Sequence, residues 1–341
     1  MNRRLPAEWE EQDGVLLAWP HAKTDWHDTL VQVQKVFVEI ARAISRYEQL
    51  VIVTPAIIPA EEQLRRAGIS PDRFTLYRIP TNDTWSRDFG PITVYENNQP
   101  VLYDFGFNGW GLKFAAHHDT LVTAQLAAQG AFGKNTVRVP GLVLEGGSID
   151  SDGAGTVLTT TKCLLSANRN PHLDRHSLEQ TLGNLLGVKR FCWLNNGSLY
   201  GDDTDAHIDT LARFCPDNTI AYVCCDDPHD EHFTTLAAMA QELRALRTID
   251  GQPYQLVPLP WPQPCFAPDG HRLPATYANF LIINRAVLVP TYGIPQDTAA
   301  LETIARLFPD RETIGINCRP LINQHGSLHC VTMQLPRGVL S

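Results

Sequence analysis

Short runs rich in Val, Ile, Leu and Thr recur along the whole chain, each bounded by Gly, Pro, Asn or Asp, and they predict strands. They include Val15–Trp19, Leu50–Thr54, Phe74–Ile79, Ile92–Tyr95, Val143–Glu145, Thr156–Thr159, Thr219–Cys224, Phe280–Ile283, Ala286–Pro290 and His329–Gln334. Between them lie segments of helical period. In Leu30–Ser45 the apolar residues Val33, Val36, Phe37, Ile40, Ala41 and Ile44 share one face. Leu121–Ala131, Asp174–Leu186, Glu231–Leu246 and Thr298–Leu307 read the same way, with His117–Thr120 offering an N-cap to the first of these. Two strands often fall between successive helices, as in Ile92–Phe107 and Val139–Leu165. That order predicts an α/β fold with mixed sheets in place of one parallel doubly wound sheet. No low-complexity linker or charge block interrupts the pattern, so a single compact domain over residues 1–341 is expected.

Composition narrows the function classes. The chain is 43% hydrophobic and 19% charged with a formal net charge of -9, an ordinary globular make-up. Without a Lys/Arg run it has no electrostatic footprint for nucleic acid. No apolar run approaches the roughly 20 residues that span a bilayer, and Met1–Gln12 lacks the apolar stretch of a secretory signal. A cytoplasmic protein without membrane partners is expected. No G-x-G-x-x-G or P-loop motif supports nucleotide binding. The eight cysteines form no C-x-x-C pair and no zinc-like spacing, so they read as free thiols, mostly packed in the core.

Four segments set polar, acidic and glycine residues beside strand-like sequence, where loops usually carry chemistry. In Asn82–Pro91, Asp88 reads either as a turn former before Gly90-Pro91 or as a carboxylate aimed into a cleft walled by Trp85. Arg87 reads as a structural ion-pair partner. In Leu144–Gly153, Glu145 ends an apolar run, so its carboxylate needs a buried partner; Asp150–Gly153 reads as a hairpin turn. In Gly201–Asp209, four aspartates and His207 crowd into nine residues. If His207-x-Asp209 lies on a strand, both side chains share a face, which suits a general acid/base beside a charge anchor. A metal site in this cluster is the alternative, weakened by the lack of a second histidine ligand. In Asn323–Thr332, Cys330 follows a glycine-containing turn and starts an alternating run. Its neighbour His329 would face the opposite side of a strand, which leaves His207 the better partner base.

Together these segments resemble the agmatine deiminase family, within the guanidino-group-modifying enzymes. The resemblance rests on W-x-R-D-x-G-P (Trp85–Pro91), F-N-x-W-G-x-K (Phe107–Lys113), E-G-G-x-x-D-x-D-G (Glu145–Gly153), C-L-L-x-x-N-R-N-P (Cys163–Pro171), G-D-D-T-D-x-H-x-D (Gly201–Asp209) and H-C-x-T (His329–Thr332). It runs from Trp9 to the terminal Cys330 motif. Departures are Ala206 in place of a usual glycine, Thr161 in place of a common glutamate, and Ser327, Leu328 and Met333. The resemblance implies a five-bladed pseudo-symmetric α/β propeller built of ββαβ modules, with the site in its central channel.

It also implies hydrolysis of agmatine to N-carbamoylputrescine and ammonia, in polyamine synthesis. On this reading Asp88 and Asp209 grip the guanidinium edge-on. Cys330 attacks its central carbon and leaves a covalent thiouronium, His207 moves the protons, and Glu145 orients His207. Asp203 or Asp205 faces the distal amine of the substrate, and Trp85 and Trp110 line its methylene chain. The chemistry calls for no metal and no organic cofactor, and a homo-oligomer is compatible with it. An arginine or peptidyl-arginine substrate would call for a cationic residue in the pocket, for which Lys113 and Arg169 are candidates. A non-catalytic propeller that binds a macromolecule would have little reason to keep this set of side chains.

Overall fold

The computed structural model describes residues 3–340. One local order recurs: an antiparallel hairpin, a helix, then a strand parallel to the second hairpin strand. Ile92–Glu96 and Gln99–Tyr103 form the first hairpin, followed by the helix Val122–Ala128 and the strand Thr136–Arg138. The same order joins Ile149–Ser151 and Thr156–Thr160, through Arg175–Leu186, to Arg190–Leu194. It joins Ala212–Cys215 and Thr219–Val223, through Phe233–Ala245, to Gln255–Leu259. It joins Leu281–Ile283 and Ala286–Thr291, through Gln296–Leu307, to Glu312–Asn317. The fifth unit draws on both ends of the chain. Met333–Pro336 pairs antiparallel with Gln12–Ala18, which runs parallel to Gln49–Thr54 after the helix Leu30–Ser45. The architecture is α/β with mixed sheets, as the strand spacing predicts.

The hydrophobic pattern explains these elements. The helix Leu30–Ser45 buries Val33, Val36, Phe37, Ile40, Ala41 and Ile44, the face its period marks, and Ala43 as well. Each large apolar side chain so buried stabilises the fold by roughly 1.5–3 kcal/mol. Asp174 caps the helix Arg175–Leu186 by accepting from the Ser177 N–H, and Gly187 ends it in the left-handed conformation. The hairpin turn expected at Asp150–Gly153 falls two residues later: Asp150 and Ser151 pair with Leu158 and Val157, and residues 152–155 make the connection to Thr156–Thr160.

Three segments differ from their sequence patterns. Ile57–Arg66 is a helix that the strand-and-helix reading passed over, because only Ala60 and Leu64 on it are buried. Val143–Glu145 is not a strand; it makes one bridge, between Val143 and Gly106. The C-terminal strand begins at Met333 and not at His329. His329 to Thr332 form a turn closed by the Thr332 N–H on the His329 carbonyl. The alternation there reports burial of Val331 and Leu335, not extended backbone from the cysteine onward.

The loops that bear the four polar segments converge. The short helix Ser86–Phe89 packs against the turn Gly146–Ser148, and that turn packs against the turn Ile208–Thr210. A buried polar layer braces them. Arg213 is fully buried and donates to Glu8, Asp150 and the carbonyl of Phe280, with Nη2–Oε2 of Glu8 at 2.8 Å. A buried charge persists only when paired in this way.

Candidate active site

Asp88 is held by two donors. Trp110 Nε1–H donates to its Oδ2 at 2.9 Å and the Gly147 N–H to its Oδ1 at 3.0 Å. Gly147 has to be glycine: a Cβ there would lie 2.6 Å from His207 Nδ1, 2.9 Å from Asp88 Oδ1 and 3.1 Å from Asp209 Oδ2. The first glycine pair of the Glu145 motif therefore allows three charged side chains to meet over bare backbone.

His207 lies between two carboxylates. Its Nδ1 is 3.6 Å from Asp88 Oδ1 and its Nε2 is 3.6 Å from Glu145 Oε2. His207 and Asp209 are brought near Asp88 by a 3-10 turn, Ile208–Thr210, and not by the strand that the His-x-Asp spacing suggested. Burial works against the His207 imidazolium, but Asp88, Cys163 and Glu145 outweigh it and raise its pKa well above the ordinary histidine value. Burial raises Asp88. Glu145 is fully buried, yet the His207 and Arg169 cations hold it below the usual carboxylate range. Arg169 Nε donates to both Glu145 oxygens, at 3.0 and 2.8 Å.

Asp209 accepts from His329 Nδ1 at 2.7 Å, and its Oδ1 is buried with no hydrogen-bond partner. His329 turns away from Cys330, as expected, and its Nε2 meets Glu8 Oε2 at 2.7 Å. Cys330 Sγ lies 3.4 Å from Asn279 Oδ1, which also accepts the Cys330 N–H. Burial, with Asp209 and Asp88 adding to it, pushes the Cys330 thiol well above its ordinary value.

A cleft opens over Cys330 and Asp88, while His207, Asp209 and Glu145 lie behind them and are not among its lining residues. Cys330, Asp88, Trp85 and Trp110 line it, joined by Asp25, Asp83 and Asp203. Gly326 lets Trp85 take its place, since a Cβ at 326 would sit 2.2 Å from the indole ring. Burial, reinforced by Asp25 and Asp119, raises Asp83 to about 8. Burial raises Asp203 to about 6. No lysine or arginine is among the residues lining the cleft.

Asp205 is placed differently from Asp203. Its carboxylate meets Lys113 Nζ at 2.8 Å and Arg169 Nη1 at 2.7 Å, and it is not part of the cleft wall. The sequence places most of the cysteines in the core, and Cys163 is fully buried. Its Sγ nevertheless lies 3.7 Å from Glu145 Oε2. Glu145, Cys163 and His207 bring ligand-type atoms within 4.8 Å of one another, a cluster that the cysteine spacings did not mark. Asn279, Asp25, Asp83 and Glu8 were also missed. Asp83 lies in the Asn82–Pro91 segment but was not singled out there; Asp25, Glu8 and Asn279 lie outside the four segments, and Glu8 reaches His329 from the other end of the chain.

A family model described as Porphyromonas-type peptidyl-arginine deiminase matches residues 4–336. The chain belongs to that family. A Porphyromonas gingivalis crystal structure, provisionally named an arginine deiminase, is 51% identical and superposes with a TM-score of 0.93 over 99% of this chain and 100% of that one. The agmatine deiminase of C. jejuni is 36% identical, with a TM-score of 0.90 over 99% and 97% of the two chains. A Yersinia pestis protein, provisionally named an agmatine deiminase, is 33% identical over 97% of this chain and 95% of its own. The Porphyromonas-type family names of these relatives thus divide between arginine and agmatine. The described residues contain no helix long and apolar enough to cross a membrane.

Proposed function

We propose that this chain hydrolyses agmatine to N-carbamoylputrescine and ammonia through a covalent intermediate on Cys330. The observation that carries the reading is the cleft wall: a thiol beside Asp88, three further carboxylates along the wall, two tryptophans, and no lysine or arginine. Agmatine is a dication with a methylene spacer. A guanidinium bound next to Cys330 would leave its ammonium end facing Asp203, Asp83 and Asp25, with Trp85 and Trp110 along the spacer. The agmatine deiminase from C. jejuni supports the same assignment. Arginine would bring an α-carboxylate into this acidic cleft.

The residues suit the chemistry step by step. Asp88 and the unpartnered Oδ1 of Asp209 accept guanidinium N–H bonds and fix its plane. The bound guanidinium and the His207 cation favour ionisation of Cys330, whose proton leaves to solvent, and the thiolate adds to the central carbon. Bringing the two reactants together in this way removes several kcal/mol from the barrier. His207, charged at neutral pH, gives its proton to the departing amino group. The C–N bond breaks, ammonia leaves, and the positively charged thiouronium remains on sulfur. Neutral His207 then takes one proton from water as the oxygen adds to the carbon, and a second proton leaves to ammonia or solvent. Breaking the C–S bond returns the thiolate and frees the ureido product. Glu145 keeps His207 charged and in place, and Arg169 keeps Glu145 ionised. None of these steps uses a metal or an organic cofactor. We extend the proposal to the fold and the setting: the five repeating units form the blades of a propeller around this site, in a single cytoplasmic domain.

Mass spectrometry of acid-quenched protein and agmatine tests the reading. The expected adduct maps to the Cys330 peptide, and kcat/KM for agmatine exceeds that for arginine and for a C-terminal arginyl peptide. Absence of ammonia release from all three substrates removes the reading. So does an adduct confined to Cys163.

A further inference from the structure

We infer that Asp205 is a specificity-determining residue: it silences the cations nearest the cleft and so keeps carboxylate-bearing guanidines out. This inference rests on the agmatine reading above and adds to it the identity of the group that rejects arginine. Lys113 and Arg169 are the basic residues of the cleft motifs that lie nearest Asp203; Arg87, beside Asp88 in sequence, is turned to Glu8 and Gln334. Asp205 holds both, alone among the described side chains for Lys113 and together with Glu145 for the buried Arg169. Asp205 Oδ1 takes Lys113 Nζ at 2.8 Å, and Oδ2 takes Arg169 Nη1 at 2.7 Å. The Lys113 ammonium also donates to the backbone carbonyl of Asp203, whose side chain lines the cleft. Lys113 is therefore anchored directly behind the cleft wall. Its sequence neighbour Phe114 and nearby Trp110 are part of that wall.

The backbone shows that this placement is built. Asp205 and Ala206 both hold left-handed φ values, +70° and +62°. Non-glycine residues avoid that region, and two in succession persist only where the surroundings fix them. Asp202 does so: its carboxylate accepts the Ala206 N–H at 2.7 Å and the Thr204 hydroxyl. Arg169 Nη2 adds a bond to the Thr204 carbonyl at 2.9 Å. The loop thus spends strain to present the Asp205 carboxylate to two cations. Lys113 is more than a third exposed, so the pair adds little to stability. Its consequence is for recognition. An α-carboxylate entering beside Asp203 meets acidic groups, the His325 ring, whose Nδ1 is turned to the Gly201 carbonyl, and a lysine that already has its counter-charge, whereas the bare amine of agmatine needs no cation. Discrimination is a difference of affinities, and withholding a partner from the wrong ligand achieves it.

The test has two arms. Arginine and arginine methyl ester differ only in the masked carboxylate, and both are assayed on the unaltered protein beside agmatine. The ester is expected to exceed arginine in kcat/KM by about tenfold or more, one charge-assisted contact being worth at least that factor. Asp205→Asn keeps a residue that tolerates left-handed backbone and removes the charge. It is expected to raise the arginine-to-agmatine ratio of kcat/KM by about tenfold, and the added substitution Lys113→Met is expected to abolish that gain. An ester no better than arginine overturns the inference whether or not the variant folds. A folded Asp205→Asn with an unchanged ratio overturns it, and so does a gain that survives Lys113→Met. If agmatine itself is not turned over, the functional reading fails and not this one alone.

Discussion

His329 Nδ1 lies 2.7 Å from Asp209 Oδ2, while its other ring nitrogen lies 2.7 Å from Glu8 Oε2. Two nitrogens can each donate to an ionised carboxylate only if the ring is an imidazolium. The cation steadies Asp209, whose Oδ1 is left without a hydrogen-bond partner for the guanidinium contact proposed above. His329→Gln keeps at most one of the two bonds and removes the charge. Breaking a buried pair by removing one partner costs about 3–5 kcal/mol. Thermal unfolding should show that loss, and KM for agmatine should rise more than kcat falls, since Asp209 binds and does not transfer protons. The pH sign follows from the carboxylates. Burial opposes ionisation of Asp209, but His329 outweighs it and holds the pKa below the ordinary value. Its contribution to stability is present above the unfolded pKa and is lost as pH falls through the folded one. Unfolding at pH 3 to 5 should therefore be steeper in the parent chain than in His329→Gln.

The site holds two thiols, and they should respond differently to substitution. Cys330 lines the cleft, whereas Cys163 is sealed behind it against Glu145. Cys330→Ser replaces a sulfur nucleophile by a hydroxyl that His207 cannot deprotonate while it is itself charged. Agmatine turnover should drop by about 10⁴-fold or more, the scale on which loss of a nucleophile acts. Cys163→Ser keeps a donor for Glu145, and an ordinary change of under about tenfold is expected. Steady-state ammonia release measures both. A Cys163→Ser variant as inactive as Cys330→Ser would move the nucleophile to the other sulfur.

Much of this arrangement was legible in the sequence, and the remainder divides by physical cause. Asp88, Glu145, His207, Asp209 and Cys330 all lie in segments where charge and glycine crowd against apolar runs, and each comes to one place. The α/β class followed from period alone. The His207–Asp209 strand did not form, because two residues in succession at 205 and 206 turn left-handed and deliver the chain into a 3-10 turn. Glu8 and Asn279 were invisible for another reason. Each acts across a sequence distance that no local pattern encodes, as in the bond between Cys330 and Asn279. Asp203 and Asp205 look alike in sequence. Only the positions of Lys113 and Arg169 separate a cleft-wall carboxylate from a silenced one.

Trp110 contributes more than an apolar wall. Its indole N–H donates to Asp88 at 2.9 Å and favours the ionised carboxylate against the burial that raises it. Trp110→Phe removes that donor and keeps an aromatic ring, though a smaller one, so the Asp88 pKa should climb further. The acid limb of the kcat/KM profile for agmatine should move to higher pH, and KM at pH 7 should rise about tenfold, the scale of one hydrogen bond to a charged group. A profile that stays in place while KM rises would assign Trp110 to packing alone.

Asp83 sets the last expectation. Burial, with Asp25 and Asp119 beside it, raises this carboxyl to about 8. In the free chain at pH 7 it is therefore mostly protonated. An ammonium entering the cleft favours the carboxylate and should expel that proton. Calorimetric titration of Cys330→Ser with agmatine, in buffers of different ionisation enthalpy, should show proton release at pH 7 that fades above pH 9. Asp83→Asn should reduce it. The stability sign is opposite to that for Asp209. A carboxyl whose folded pKa is raised contributes most below its unfolded value, and the contribution is lost as pH climbs toward 8. Asp83→Asn should accordingly unfold at a higher temperature than the parent at pH 9 and differ little at pH 4. Equal proton release by parent and Asp83→Asn would place the titrating group elsewhere, with Asp203, raised to about 6, the next carboxyl to test.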